Sequence, residues 1–180
     1  MLAPEKIWWK PMGRMEKTWL TVAFVWCVFL TVMMPLWYYM GKQNVPTETY
    51  KTTPIQFNEK VTAFVEQYKV GEDTINGITL PVVEAPAGSD VYLRASTWQW
   101  YPILQLRKGE EYRLHISSMD LQHGFSLQPV NINLQVLPNY DYVATIVPTS
   151  TGEFTIVCNE FCSLGHHTMV GRIIVKDLGE

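Results

Sequence analysis

Runs of positive charge are missing from this sequence. Its 14 lysines and arginines are outnumbered by 17 aspartates and glutamates, for a formal net charge of −3, and they cluster nowhere. A protein that neutralises phosphates needs a basic stripe or patch, so nucleic acid is excluded as a partner. Internal repeats and low-complexity tracts are also absent. With 47% hydrophobic residues in 180, the composition excludes a disordered chain and suits one medium-sized domain plus an apolar segment. Cysteine is scarce, 3 in all, which gives weight to the two that fall close together near the end.

The apolar segment is TWLTVAFVWCVFLTVMMPLWYYM, from Thr18 to Met40, without a single charge. About 20 apolar residues cross the hydrocarbon core of a bilayer, so one transmembrane helix in contact with lipid is predicted. The run is too long for the apolar region of a signal peptide, and no small-x-small cleavage pattern follows Tyr39; a retained anchor is the reading. Trp19, Trp37, Tyr38 and Tyr39 sit at the ends, where amphipathic rings prefer the headgroup level. Pro35 falls near the last turn, where a kink costs little, and Cys27 reads as a small apolar residue. Lys6, Lys10, Arg14 and Lys17, against Glu5 and Glu16, keep the N-terminus cytoplasmic by the positive-inside tendency. Everything after Gly41 is then outside, so the chain is a single-pass protein of the cell (inner) membrane with a periplasmic or otherwise extracytoplasmic C-terminal domain.

Four regions follow: a cytoplasmic N-terminus (1–17), the transmembrane helix (18–40), a connector (41–70) and a β domain (71–180). In the connector, Phe57, Val61, Phe64, Val65 and Tyr68 share one face at helical spacing, which predicts a short amphipathic helix with a packing face. Beyond Gly71 the period changes to two. VYLRASTWQW, YRLHIS, NINLQVLP, YDYVATIVP, EFTIVC and GRIIVK alternate or carry β-branched residues between Gly, Pro, Asn and Asp, which predicts short strands in a β-sandwich or barrel. About 110 residues suffice for a single core.

The chemistry is concentrated in CNEFCSLGHHTM, Cys158 to Met169. A Cys158–Cys162 disulfide is the simplest reading outside the cytoplasm, but so short a ring restricts the unfolded chain little and leaves His166 and Met169 without a purpose. A structural zinc site suits thiolate and imidazole, although the usual two-residue gap between cysteines is absent and zinc does not need the methionine. A cysteine nucleophile with a histidine base would sit beside a second thiol ready to oxidise it. Each reading explains part of the set. Copper uses all of it, because thiolate, thioether and imidazole together suit both of its oxidation states. The spacing is C-x-E-x-C-x3-H-x2-M, Cys158, Glu160, Cys162, His166 and Met169. Two thiolates allow both sulfurs to bridge two ions, and a second imidazole is then needed. His123, in SSMDLQHGFSL, is the candidate; His167 reads as a surface residue or an outer partner, and His115 as a strand residue with a satisfied hydrogen bond.

The segments WQWYPILQLRKGEEYRLHISSMDLQHGF and NINLQVLPNYDYVATIVPTSTGEFTIVCNEFCSLGHHTMVGRIIVK, from about Trp98 to Lys176 with the anchor before them, resemble subunit II of cytochrome c oxidase, the subunit of heme-copper oxidases that carries the dinuclear CuA centre. The single helix resembles the compact B-type form; most members have two. The resemblance implies a cupredoxin-like Greek-key β-sandwich and copper ligands His123, Cys158, Cys162, His166 and Met169, with the backbone carbonyl of Glu160 as a weak donor. It also implies a magnesium ion at the contact with subunit I through the Glu160 carboxylate, a site that some short members lack. The aromatic cluster of longer members is reduced to Trp98, Trp100 and Tyr101, and Trp98 or Trp100 is the candidate point of electron entry. The implied function is electron transfer, from an external cytochrome c or cupredoxin donor to a heme-bearing subunit I that reduces oxygen. The alternatives are the small subunit of a copper-A nitric oxide reductase, or an anchored blue-copper carrier, which would need neither Cys162 nor Glu160.

Overall fold

The computed structural model describes residues 11–41, 48–130 and 132–177; the charges at Glu5, Lys6 and Lys10 lie outside them. The chain divides into two compact units, Met1–Gln43 and Asn44–Glu180.

The first unit is helix α1, Arg14–Met40. It starts ahead of the charge-free run because Arg14, Glu16 and Lys17 are good helix formers, and the Glu16 carboxylate accepts from the Gly13 N–H at 2.9 Å. None of its residues is buried within the chain, although it is long and apolar enough to span a bilayer. The hydroxyls of Thr18, Thr21 and Thr31 donate to carbonyls one turn back, at 2.8–2.9 Å. An apolar medium then meets no unpaired hydroxyl among them.

The second unit opens with strand β1, Glu48–Lys51, and helix α2, Pro54–Tyr68. Thr53 caps α2: its hydroxyl accepts from the Gln56 N–H at 3.2 Å, while the Gln56 side chain accepts from the Thr53 N–H at 3.2 Å, and Pro54 stands where a missing N–H costs nothing. Of the predicted face, Phe57, Val61, Phe64 and Val65 are buried and Tyr68 is half-buried against them. At roughly 1.5–3 kcal/mol per buried apolar side chain, this face holds α2 in place. Phe57 and Phe64 both meet the Tyr92 ring edge-on, at 6.0 and 5.7 Å.

The remaining strands are β2 Lys69–Ile75, β3 Ile78–Glu84, β4 Asp90–Ser96, β5 Gln99–Tyr101, β6 Ile103–Arg107, β7 Tyr112–Ser118, β8 His123–Gln128, β9 Ile132–Val136, β10 Tyr140–Ile146, β11 Gly152–Cys158 and β12 Val170–Lys176. They form a five-stranded sheet, β1-β10-β7-β4-β5, and a seven-stranded sheet, β2-β3-β6-β12-β11-β8-β9. This is the expected cupredoxin-like sandwich, and its strict alternation is legible in β4, DVYLRAS, where Val91, Leu93 and Ala95 are buried between half-exposed neighbours. The core joins both sheets through Leu93, Leu114, Ile116, Leu104, Leu106, Phe125 and Ile156.

Two features position the site. Strands β11 and β12 pair antiparallel with Val157 opposite Val170, so the segment between them is a loop with closely fixed ends. Strand β8 runs beside β11 with Phe125 opposite Cys158, which brings His123, the first residue of β8, to the same end.

Candidate metal centre

Cys158 is the last residue of β11, and its N–H donates to the Met169 carbonyl at 3.2 Å, closing the loop. Within it, Gly165 takes a left-handed conformation (φ 93°) that opens a 3-10 turn, His166–Thr168. The turn is held by the Thr168 N–H on the Gly165 carbonyl at 2.8 Å and the Met169 N–H on the His166 carbonyl at 3.1 Å. A compact turn between His166 and Met169 lets both side chains point back toward the cysteines.

The donors converge. Cys158 Sγ and Cys162 Sγ are free thiols 3.8 Å apart. The imidazoles flank different sulfurs, His123 Nδ1 lying 3.9 Å from Cys158 Sγ and His166 Nδ1 3.5 Å from Cys162 Sγ. Two weaker donors complete the set, the Glu160 carbonyl at 3.3 Å from Cys158 Sγ and Met169 Sδ at 3.8 Å from Cys162 Sγ. His123, Cys158 and Cys162 are buried and offer ligand atoms all within 4.8 Å of one another. Burial, together with the adjoining Cys158 sulfur, pushes the Cys162 thiol up to about 11. A buried soft cluster of this kind fits a thiophilic cation that displaces the thiol protons, and the buried thioether of Met169 (1% exposed) is a donor that copper uses and zinc does not.

His123 Nδ1 faces sulfur because its other nitrogen is engaged. The Nε2–H donates to Asp120 Oδ1 at 2.8 Å, and Asp120 also accepts from the N–H and the hydroxyl of Thr97 and from the Leu121 N–H at 2.7 Å. Burial alone would raise the Asp120 carboxyl; the bonds from His123, Thr97 and Leu121 outweigh it and hold the group at about 2. Asp120 was not among the residues singled out from sequence. Its one signal is the D-x-x-H spacing to His123.

The other singled-out residues separate by place. The Glu160 carboxylate accepts from Gln135 Nε2 at 3.2 Å. Trp100 is 1% exposed, with its ring edge-on to Phe125 at 5.5 Å and 6.4 Å from His123. Trp98 is 48% exposed and covers Gly165, where an added Cβ would meet its Nε1 at 2.8 Å. His167 is exposed and lines a surface hollow with Trp98 and Ile78. His115 is half of what was expected. Its Nδ1 hydrogen-bonds Asp141 at 2.9 Å, but its buried Nε2 has no hydrogen-bond partner.

A β-sandwich whose end loops gather thiols, imidazoles and a thioether defines a cupredoxin-class metal domain, here on a chain with an apolar helix long enough to span a bilayer. No protein-family model matches the chain. Cytochrome c oxidase subunit 2 of Thermus thermophilus is 35% identical over 97 residues, 53% of this chain and 72% of that protein. Nitrous-oxide reductase of Cupriavidus necator is 34% identical over 76 residues, 40% of this chain but 12% of that much longer protein. Among solved structures, a chain of a heme-copper terminal oxidase dimer has the same fold, with a TM-score of 0.57 at 23% identity, covering 91% of this chain and 100% of that one. The chain belongs to the cytochrome c oxidase subunit 2 family. It is accordingly a membrane-anchored electron-transfer subunit of an oxidoreductase complex, with a site for copper.

Proposed function

We propose that His123, Cys158, Cys162, His166, Met169 and the Glu160 carbonyl hold a dinuclear CuA centre. The observation that carries this reading is the pair of sulfurs 3.8 Å apart with an imidazole nitrogen beside each, at 3.9 and 3.5 Å. Two sulfurs that two ions could share, with one imidazole and one weak donor near each, would make a donor set for two ions rather than one. Bound there, copper supplies a one-electron couple shared between two ions.

The protein's part is to hold the donors still and dry. Asp120 keeps the His123 ring oriented with Nδ1 toward sulfur. Phe125 of β8 and Trp100 of β5 meet edge-on in the same buried cluster as the two sulfurs, which keeps that cluster dry. The pairing of Val157 with Val170 and the Cys158–Met169 backbone bond fix both ends of the loop. Donors held this way move little when charge arrives or leaves, which keeps the cost of each transfer small.

The electron donor is a cytochrome c or a small cupredoxin outside the membrane, and the acceptor is the heme-bearing subunit I of a heme-copper oxidase. Trp98, exposed and packed on Gly165 next to His166, is the better of the two tryptophans for the point of entry; Trp100 is sealed in the core. Residues after α1 face the outside of the cell membrane. The Glu160 carboxylate is the group through which a magnesium ion would be held against subunit I.

Metal analysis and EPR of the full chain in detergent test this. Two coppers per chain with the unpaired electron shared over both nuclei is the expected result, and Cys158→Ser or Cys162→Ser removes that signal. One copper per chain, or bound zinc, overturns it.

A further inference from the structure

We infer that the tip of the β2–β3 hairpin braces the metal-ligand turn, with Asn76 as the positioning residue; the functional half of this inference rests on the copper reading above. Asn76 Nδ2 donates to the Thr168 carbonyl at 2.9 Å, across 92 residues of sequence. Thr168 is in the turn between His166 and Met169. The neighbouring carbonyls of His166 and Met169 are taken by the Met169 and Cys158 N–H groups. Asn76 thus supplies a donor from a distant side chain to the stretch of backbone that carries the proposed ligands His166 and Met169. Trp98 lies against Gly165 in the same segment, so the turn is restrained by contacts from two separate hairpins.

The hairpin is built to deliver that side chain. Ile75 pairs with Ile78 across a two-residue connection, with Asn76 at φ 51° and Gly77 at φ 80°, the positive-φ pair of the turn type that Asn-Gly favours. Asp73 of β2 is tied to Arg172 of β12 at 2.5 Å, and β3 runs parallel to β6 with Val82 opposite Ile103. Leu80, Val82 and Ile103 form a small buried cluster with Ile75 and Ile174 packed on it. An exposed hairpin would need none of these ties merely to turn the chain. Asn is one of the few residues that tolerates a left-handed backbone and also presents an amide donor. Glycine tolerates the backbone and lacks the donor. Donors that must stay in place during electron transfer gain from a support shell of this kind.

The test uses the full chain in detergent with Asn76→Gly, which keeps the positive φ and removes the donor, and Asn76→Asp, which keeps the shape but sets an acceptor against the carbonyl. Hydrogen exchange is measured first on the metal-free protein. Loss of one net hydrogen bond should speed exchange of the Thr168 and Met169 amides about threefold to tenfold, with the amides of β7 and β10 unchanged. Unaltered exchange at Thr168 and Met169, or an acceleration shared by every strand, overturns the brace. In the copper-loaded chain both variants should retain the metal with a shifted EPR spectrum; an unshifted spectrum in variants that exchange faster overturns the positioning role. A wild-type chain that fails to bind two coppers defeats the copper reading and leaves the metal-free exchange to judge the brace by itself.

Discussion

His123 at the start of β8 and His115 in β7 are both buried, and a carboxylate holds each at nearly the same length, 2.8 Å from His123 Nε2 to Asp120 and 2.9 Å from His115 Nδ1 to Asp141. The pairs differ in what the second nitrogen meets. For His123 it is the thiol of Cys158 at 3.9 Å. For His115 it is another carboxylate, Asp90, at 3.6 Å, while the ring stacks on Tyr92 at 4.7 Å and Arg113 and Lys60 approach the two aspartates at 3.3 and 4.0 Å. A histidine–aspartate pair is therefore no signature of a metal site by itself. Soft donors beyond the free nitrogen make it one; charged neighbours make it a clasp between β4, β7 and β10.

The sharpest way to break this comparison is to remove each ring in turn. His123→Ala should abolish the two-copper signal by metal analysis and EPR. His115→Ala should leave copper content unchanged and lower stability by about 1–3 kcal/mol, the typical cost of leaving a buried group, here Asp141, without its hydrogen-bond partner, read as a lower Tm of the metal-free chain. Equal copper loss in both variants would erase the distinction. Next in size, Asp120→Asn should reduce copper affinity about 10- to 100-fold without abolishing it, whereas Asp141→Asn should leave affinity alone; competition with a chelator of known affinity measures both. Met169→Leu, nearly equal in volume, should keep both metals and shift the spectrum, while Glu160→Gln keeps spectrum and metal, because its contact with the thiols is made by backbone.

The smallest expected effect lies away from both histidines. The hydrogen bonds from Arg107 to Glu84, at 2.8 and 3.0 Å, hold the Glu84 carboxyl below its ordinary 4.5. A carboxyl with a depressed folded-state value contributes stability that is present above that ordinary value and lost as pH falls beneath it. The Tm of the metal-free chain should therefore fall below about pH 4.5, and Glu84→Gln should flatten part of that fall. An unchanged acid limb would remove Glu84 from the account.

The two histidines also mark what sequence could and could not supply. The candidate donors Cys158, Glu160, Cys162, His166 and Met169 could be singled out together because one short loop carries them, and the alternation of β4 and the stripe of α2 were legible because burial follows a fixed period. His123 was reachable only by asking which imidazole could complete the set. Strand β1 was missed because all its residues are exposed, so an edge strand paired only with β10 leaves no alternation to read. The bonds of Thr97 to Asp120, and of Asn76 to Thr168 across 92 residues, are contacts that only the folded sheets create.

The register between β8 and β11 also carries a consequence for biogenesis. His123 and Cys158 meet across 35 residues, and they meet only once β8 lies beside β11. A chain still unfolded as it leaves the ribosome or crosses a membrane thus offers copper a pair of thiols and nearby donors but not the imidazole of His123. On the proposed ligand set, metal geometry and folding are coupled in this way, and full-affinity uptake would wait for the compartment where the sandwich closes.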